Sequence, residues 1–193
     1  MPATVFCSIM RTPCGGETFD TRKITRAVAQ LALGLNDKLY MGNIDAKRDW
    51  GHAKDYVEAM YLILQQEQPE DYVIATGVTT SVRDFIRMAF EQVGAEVEFK
   101  GEGVNEKGYI KSYTAAYAFE VGQEVVCIDP KYFRPTEVDL LIGDPSKAQH
   151  KLGWTPKYSL QQLVTEMVQA DVKAFQQERI LIESGYQVAR QYE

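Results

Sequence analysis

The sequence has only two histidines, His52 and His150, and three cysteines, Cys7, Cys14 and Cys127, none at metal-ligand spacing. Little remains from which to build a metal centre, and an odd number of thiols reads as reduced cysteines in a cytoplasmic protein. No stretch approaches the roughly 20 apolar residues of a membrane helix. Met1-Pro2-Ala3-Thr4-Val5-Phe6-Cys7 lacks a basic segment leading into an apolar run, so it does not read as a signal peptide. Positive charge is in deficit: 21 Lys and Arg against 27 Asp and Glu give a net charge of −6. That balance argues against a general binder of nucleic acid or anionic membrane. Seven prolines and 14 glycines are too few for a disordered or fibrous chain. Above all, no G-x-G-x-x-G or G-x-x-G-x-x-G occurs, Gly101-Glu102-Gly103 failing because position 106 is Glu. No Tyr is followed four residues later by Lys either. The phosphate cradle of a dinucleotide fold and a Tyr/Lys acid–base pair are both missing.

What is present is a globular chain of 193 residues, 45% apolar and 11% aromatic, enough for one domain or a domain with a fragment of another. Helical and strand patterns alternate, the mark of an α/β architecture. Thr21 to Leu35 carries apolar residues at one-face helical spacing and is followed by a strand-like Lys38–Met41 ending at Gly42-Asn43. His52 to Gln66 reads as a helix with Ala53, Tyr56, Val57, Met60, Tyr61 and Leu64 inward, His52 packing or capping at its start. Asp71 to Gly77 reads as a buried strand. Ser81 opens a helix with Asp84 as capping-box partner and Gly94 as its close. Val97 and Phe99 alternate with charges as in a half-buried strand, and Gly101 to Gly122 reads as a long loop or irregular hairpin. Glu124–Asp129 is a strand candidate. Helices are expected over Ser146–Leu152 and from Ser159 to about Gln177, with Gln162 completing a capping box and Trp154 anchoring the turn between them.

Three segments could carry chemistry. Lys47-Arg48-Asp49-Trp50-Gly51-His52 places a guanidinium beside backbone N–H groups at a helix start, which suits a phosphate oxyanion; a surface pair of Arg48 with Asp49 or Asp55 is the alternative. Tyr132-Phe133-Arg134-Pro135-Thr136-Glu137 offers an Arg for a diphosphate and a carboxylate for two ribose hydroxyls, or else a loop salt bridge. Thr21-Arg22-Lys23 sets cations where they oppose the helix dipole, favourable only with a bound anion, unless they are solvated first-turn charges.

Read in order, T-R-K-I-T-R-A (21–27), Y-M-G-N-I-D-A-K-R-D-W-G-H-A-K-D-Y-V-E-A-M (40–60), Q-P-E-D-Y-V-I-A-T-G (68–77), Y-F-R-P-T-E-V-D (132–139), G-D-P-S-K-A (143–148) and K-L-G-W-T-P (151–156) form a pattern. It resembles the C-terminal half of GDP-mannose 4,6-dehydratase, an extended short-chain dehydrogenase/reductase, over roughly residues 16 to 175. The resemblance implies the C-terminal part of an extended Rossmann-type fold, mainly its nucleotide-sugar-binding domain with remnants of the Rossmann sheet. It implies an NADP-dependent lyase that converts GDP-mannose to GDP-4-keto-6-deoxymannose and forms homo-oligomers. The cofactor fingerprint and the catalytic Thr, Glu and Tyr/Lys pair of that family belong to the half absent here. The chain is therefore expected to bind no NADP by itself, to carry no catalytic residue, and to need a separately encoded N-terminal half for turnover. Carried over by position, Lys23 and Arg48 meet the diphosphate or nearby GDP groups, and Gly42 and Asn43 lie along the nucleoside. Arg134 holds the diphosphate and Glu137 the ribose hydroxyls.

The family's N-H-E-x-P-R-R-G-E-T-F is replaced here by Ile9-Met10-Arg11-Thr12-Pro13-Cys14-Gly15-Gly16-Glu17-Thr18-Phe19. Codons compatible with Ser8 to Gly16, read two bases further on, can spell N-H-E-N-P-V-R-R-G, so residues 1–15 are expected to be an out-of-frame segment. The divisions expected are 1–15, a substrate-binding part 16–178, and a weakly periodic tail 179–193. The alternatives to a dehydratase half are a non-catalytic GDP-sugar-binding module and a gene remnant. In the last case Phe85, Ile86 and Phe90 would be left exposed and the chain would associate.

Overall fold

The structure, a computed structural model, describes residues 5–7, 9–12, 19–114, 116–132 and 140–186. In chain order the elements are β1 (Val5–Cys7), β2 (Ile9–Arg11), α1 (Asp20–Ala32), β3 (Leu39–Met41), β4 (Lys47–Arg48), β5 (Trp50–His52), α2 (Ala53–Leu64), β6 (Tyr72–Ile74), β7 (Thr80–Ser81) and α3 (Val82–Glu91). There follow β8 (Ala95–Lys100), a 3-10 turn at Gly103–Asn105, β9 (Lys107–Tyr113), β10 (Glu124–Ile128), β11 (Leu140–Leu141), α4 (Ser146–Leu152) and α5 (Leu160–Glu183). The chain divides into two interleaved units, the first made of residues 1–12, 45–82 and 137–163 and the second of 13–44, 83–136 and 164–193. No helix among the described residues is long and apolar enough to cross a membrane.

The first unit is built on short, mostly parallel strand pairs. β1 pairs with β6 and β2 with β5, each in parallel, while β4 lies between β11 in parallel and β7 in antiparallel. Its core gathers Tyr56, Ala59 and Ile63 of α2, Tyr72 and Ile74 of β6, Ala148 of α4 and Trp154. Trp154 does more than anchor a turn: its indole N–H donates to the Asp55 carbonyl at 2.8 Å, tying the C-terminal segment to α2. His52 caps α2 as expected, Nδ1 accepting from the Lys54 N–H at 3.1 Å. Gly51 is required there, because a Cβ at that position would stand 2.3 Å from the Tyr56 ring.

The expected inward face of α2 holds at Tyr56 and fails at Val57, Tyr61 and Leu64. The buried positions are Asp55, Tyr56, Ala59 and Ile63, whereas Val57, Tyr61 and Leu64 are 62%, 62% and 80% exposed. The Trp154 and Tyr158 contacts to Asp55 rotate the helix away from its largest apolar stripe.

The second unit holds a four-stranded sheet in the order β3-β10-β9-β8, parallel only between β3 and β10. Of the two readings offered for 101–122 the irregular hairpin is the nearer, since β9 pairs antiparallel with β8 and β10 with register shifts on both sides. The glycine of β9 is the reason the strand escaped notice: Gly108 is pressed against the Val126 and Val97 side chains, where a Cβ would be 2.9 Å from Val126 Cβ. Ile110, two residues on, is buried. Phe85, Ile86 and Phe90 are likewise not exposed but fully buried. Phe90 sits 6.1 Å from Phe119 within the same unit, so this helix finds its apolar partners without a larger parallel sheet. Gly94 closes α3 in the left-handed region (φ 68°), with its N–H on the Glu91 carbonyl at 3.0 Å.

α5 runs to Glu183, beyond the expected end near Gln177 and into the expected tail. It opens on the expected capping box: the Gln162 N–H donates to Ser159 Oγ at 3.2 Å and the Ser159 N–H to Gln162 Oε1 at 2.8 Å. On the sheet, Glu124 accepts from Lys38 and from Lys107, at 2.5 and 2.7 Å, bridging β10 to β9 and to the residue before β3.

Candidate functional site

Arg48 belongs to a two-residue strand, and its position is set by neighbours on both sides. Across the antiparallel side it faces Thr80, and on the parallel side Leu141. β11 begins only three residues after Glu137. The segment 133–139, with Arg134 and Glu137, lies outside the described residues, but the strand that continues it is hydrogen-bonded to the strand of Arg48. The Arg48 guanidinium donates to the Lys47 carbonyl at 2.9 Å.

A surface pair of Arg48 with Asp49 or Asp55 is not what forms, because both carboxylates are buried. Asp49 accepts three hydrogen bonds: from the Thr76 N–H at 3.1 Å, the Thr76 hydroxyl at 2.6 Å and the Gly77 N–H at 2.9 Å. Asp55 Oδ2 accepts from the Tyr158 N–H at 3.2 Å, and the Tyr158 ring stacks on His52 with centroids 4.3 Å apart. Asp49 escaped the sequence reading as a buried group. The available signal was its place beside Trp50 in a strand run, where a carboxylate must find donors once the indole is inside.

The three cations of α1 part ways. Arg22 is committed to Asp171 of α5 at 2.9 Å, where the carboxylate is fully buried. Its N–H groups are not aligned on the oxygens, so the contact is Coulombic rather than a good hydrogen bond. The sequence signal for this pair was Asp171 itself, lying within the apolar stripe of Met167, Val168, Val172 and Phe175. Arg26 covers the Phe175 ring at 4.9 Å. Lys23 places its ammonium 3.8 Å over the ring of Tyr132, the residue just before Phe133. Gly42 and Asn43 follow β3 at half-buried positions, and the Met41 carbonyl accepts from Asp129 N–H at 2.8 Å. Lys23, Gly42 and Asn43 thus belong to the second unit and Arg48 to the first.

At the end of β6 the Thr76 and Gly77 N–H groups, which could otherwise face a phosphate, are held by Asp49. A fixed internal carboxylate occupies that turn.

Comparison with known proteins decides the family. The model of the family described as GDP-mannose 4,6 dehydratase matches residues 1–167. The chain belongs to the GDP-mannose 4,6-dehydratase family. It is 51% identical over 180 residues to the GDP-mannose 4,6-dehydratase of Yersinia enterocolitica and 54% identical over 179 residues to that of Vibrio cholerae. Each alignment covers 92% of this chain and 48% of the relative, so the chain spans about half the length of the curated relatives it matches. The family match starts at residue 1 and takes in the divergent segment before Gly16. Among solved structures, RMD from Pseudomonas aeruginosa complexed with NADPH superposes with a TM-score of 0.68 at 17% identity, covering 88% of this chain and 48% of that one. The fold is thus a mixed α/β arrangement of partial sheets, as expected, shared with about half of that chain.

Proposed function

We propose that this chain is the GDP-mannose-holding half of a GDP-mannose 4,6-dehydratase, able to bind the nucleotide sugar and dependent on residues it does not itself contain for dehydration. What supports the reading best is the register that puts Leu141 beside Arg48, joining the strand of one proposed diphosphate ligand to the strand that follows Glu137 in the chain. Arg48 and Arg134 offer planar forks of donors to the diphosphate, and Glu137 accepts from the ribose hydroxyls. Lys23 and the Gly42-Asn43 turn take nearby GDP groups.

NADP supplies the hydride transfer in the reaction proposed for the full enzyme. With Thr76 and Gly77 held by Asp49 we assign no residue of this chain to it. A separately encoded chain bearing the cofactor fingerprint and Tyr/Lys pair, a homo-oligomeric assembly and a cytoplasmic location complete the proposal.

Calorimetry with GDP-mannose tests it. Binding should occur with or without NADP, and Arg48→Ala and Arg134→Ala should each weaken it by roughly 10-fold to 100-fold, the loss of one charge-assisted contact. Absence of binding, or unchanged affinity in both variants, overturns the assignment. Mixing with a chain that carries the other half should restore 4-keto-6-deoxy sugar formation, which the isolated chain should lack.

A further inference from the structure

The buried carboxylate of Asp49 stands at the point where the backbone changes partners. Lys47 and Arg48 pair with β7 and β11, and Trp50 to His52 pair with β2. A two-residue strand is too short to hold its own register. Asp49 is 1% exposed and its side chain receives three donors at 2.6–3.1 Å from Thr76 and Gly77. Those donors lie in the turn that leads from β6 into β7, the strand that faces Arg48. The same turn is braced by the Thr76 hydroxyl, which accepts from the Val78 N–H at 3.2 Å. One carboxylate therefore ties the end of β4 to the approach of its own antiparallel partner.

We propose that Asp49 is a positioning residue: its latch onto Thr76 and Gly77 fixes the two-residue strand that presents Arg48, so that the guanidinium meets an anionic ligand without further ordering. Alternation along a strand sends Arg48 and Asp49 to opposite sides, so the carboxylate acts on the guanidinium through backbone placement and not by contact. A ligand that must first order its own arginine loses affinity to that ordering. This inference rests on the reading of Arg48 as a diphosphate ligand.

Three variants test it. Thr76→Val deletes the 2.6 Å hydroxyl bond, Thr76→Ser keeps it, and Asp49→Asn puts an amide where the Gly77 N–H needs an acceptor. Amide hydrogen exchange on the whole chain is read first and needs no ligand. In Thr76→Val and Asp49→Asn the Arg48 and Thr80 amides should exchange about tenfold faster, with β8 and β9 unchanged and Thr76→Ser like wild type. GDP-mannose binding is read second, by calorimetry. Thr76→Val should weaken it several-fold, Thr76→Ser should restore it, and in an Arg48→Ala background Thr76→Val should have no further effect. Equal loss in both backgrounds, or unchanged exchange at Arg48 in a folded variant, overturns the proposal. If wild type binds no GDP-mannose the ligand assignment fails by itself, and the exchange arm still decides whether Asp49 fixes β4. Should Asp49→Asn not fold, the Thr76→Val and Thr76→Ser pair carries both readings.

Discussion

The Arg22–Asp171 pair lets the energetics of the second unit be tested by removing charge in two ways. Asp171 is fully buried, the Arg22 side chain keeps 13% of its exposure, and the 2.9 Å contact lacks well-aligned hydrogen bonds. Burying two charges costs several kcal/mol per ion, and attraction offsets this only in good geometry. Asp171→Ala strands the guanidinium without its counter-charge. The cost for a buried pair is about 3–5 kcal/mol, and the residual exposure of Arg22 places it near the lower end, about 3 kcal/mol. Replacing both partners, as Arg22→Met with Asp171→Leu, removes both desolvation penalties. It also extends the apolar stripe that already contains Met167, Val168, Val172 and Phe175. The double variant should therefore lie close to wild type or above it by about 1–4 kcal/mol. Urea denaturation followed by far-UV circular dichroism gives all three stabilities. A double variant as unstable as Asp171→Ala, or a single variant within about 0.5 kcal/mol of wild type, refutes the reasoning. Because Arg22 is spent on Asp171, the double variant should also bind GDP-mannose as wild type does.

The other two predictions concern the sheet of the second unit and the face of α2. Hydrogen bonds first from Lys107 and then from Lys38 hold the Glu124 carboxyl down from 4.5 to about 2. The unfolded chain thus takes up that proton first, so the stabilisation is full above pH 4.5 and is lost as pH falls towards about 2. Urea midpoints taken across that window should fall less steeply for Glu124→Gln than for wild type; parallel slopes refute this. On α2, Leu64→Glu should change stability by less than about 0.5 kcal/mol, whereas Ile63→Ala should cost about 2–3 kcal/mol. Thermal melts in which Leu64→Glu is the more damaging would mean that the larger apolar stripe faces inward after all.

How much of this was legible in the sequence depends on how far away each deciding partner lies. The bounds of β3, α4 and β10 and the starts of α1 and α5 follow from local signals: helical periodicity, a Ser159/Gln162 box, glycines at Gly94 and Gly153 where the chain turns left-handed. Arg48 could be picked out because a guanidinium beside a helix start is itself a local pattern. The inward face of α2 could not, since Ala53, Tyr56, Val57, Met60, Tyr61 and Leu64 satisfy the same spacing rule with larger side chains. The choice is made 99 residues away, where Trp154 finds the Asp55 carbonyl, and by Tyr158, whose N–H finds the Asp55 carboxylate. Asp49 was misread for the same reason, its donors lying 27 and 28 residues further on. Arg22 looked anion-ready because its partner sits on another helix. The three carboxylates share a property that spacing alone does expose: Asp49 adjoins a buried Trp, Asp55 adjoins a buried Tyr, and Asp171 interrupts an apolar stripe. A charged group at such a place cannot be solvated by its own element, so it must draw donors or a cation from elsewhere in the fold. A carboxylate set among apolar positions therefore marks the inward side of its element, and on α2 that rule selects Asp55 and Ala59 over Val57 and Leu64.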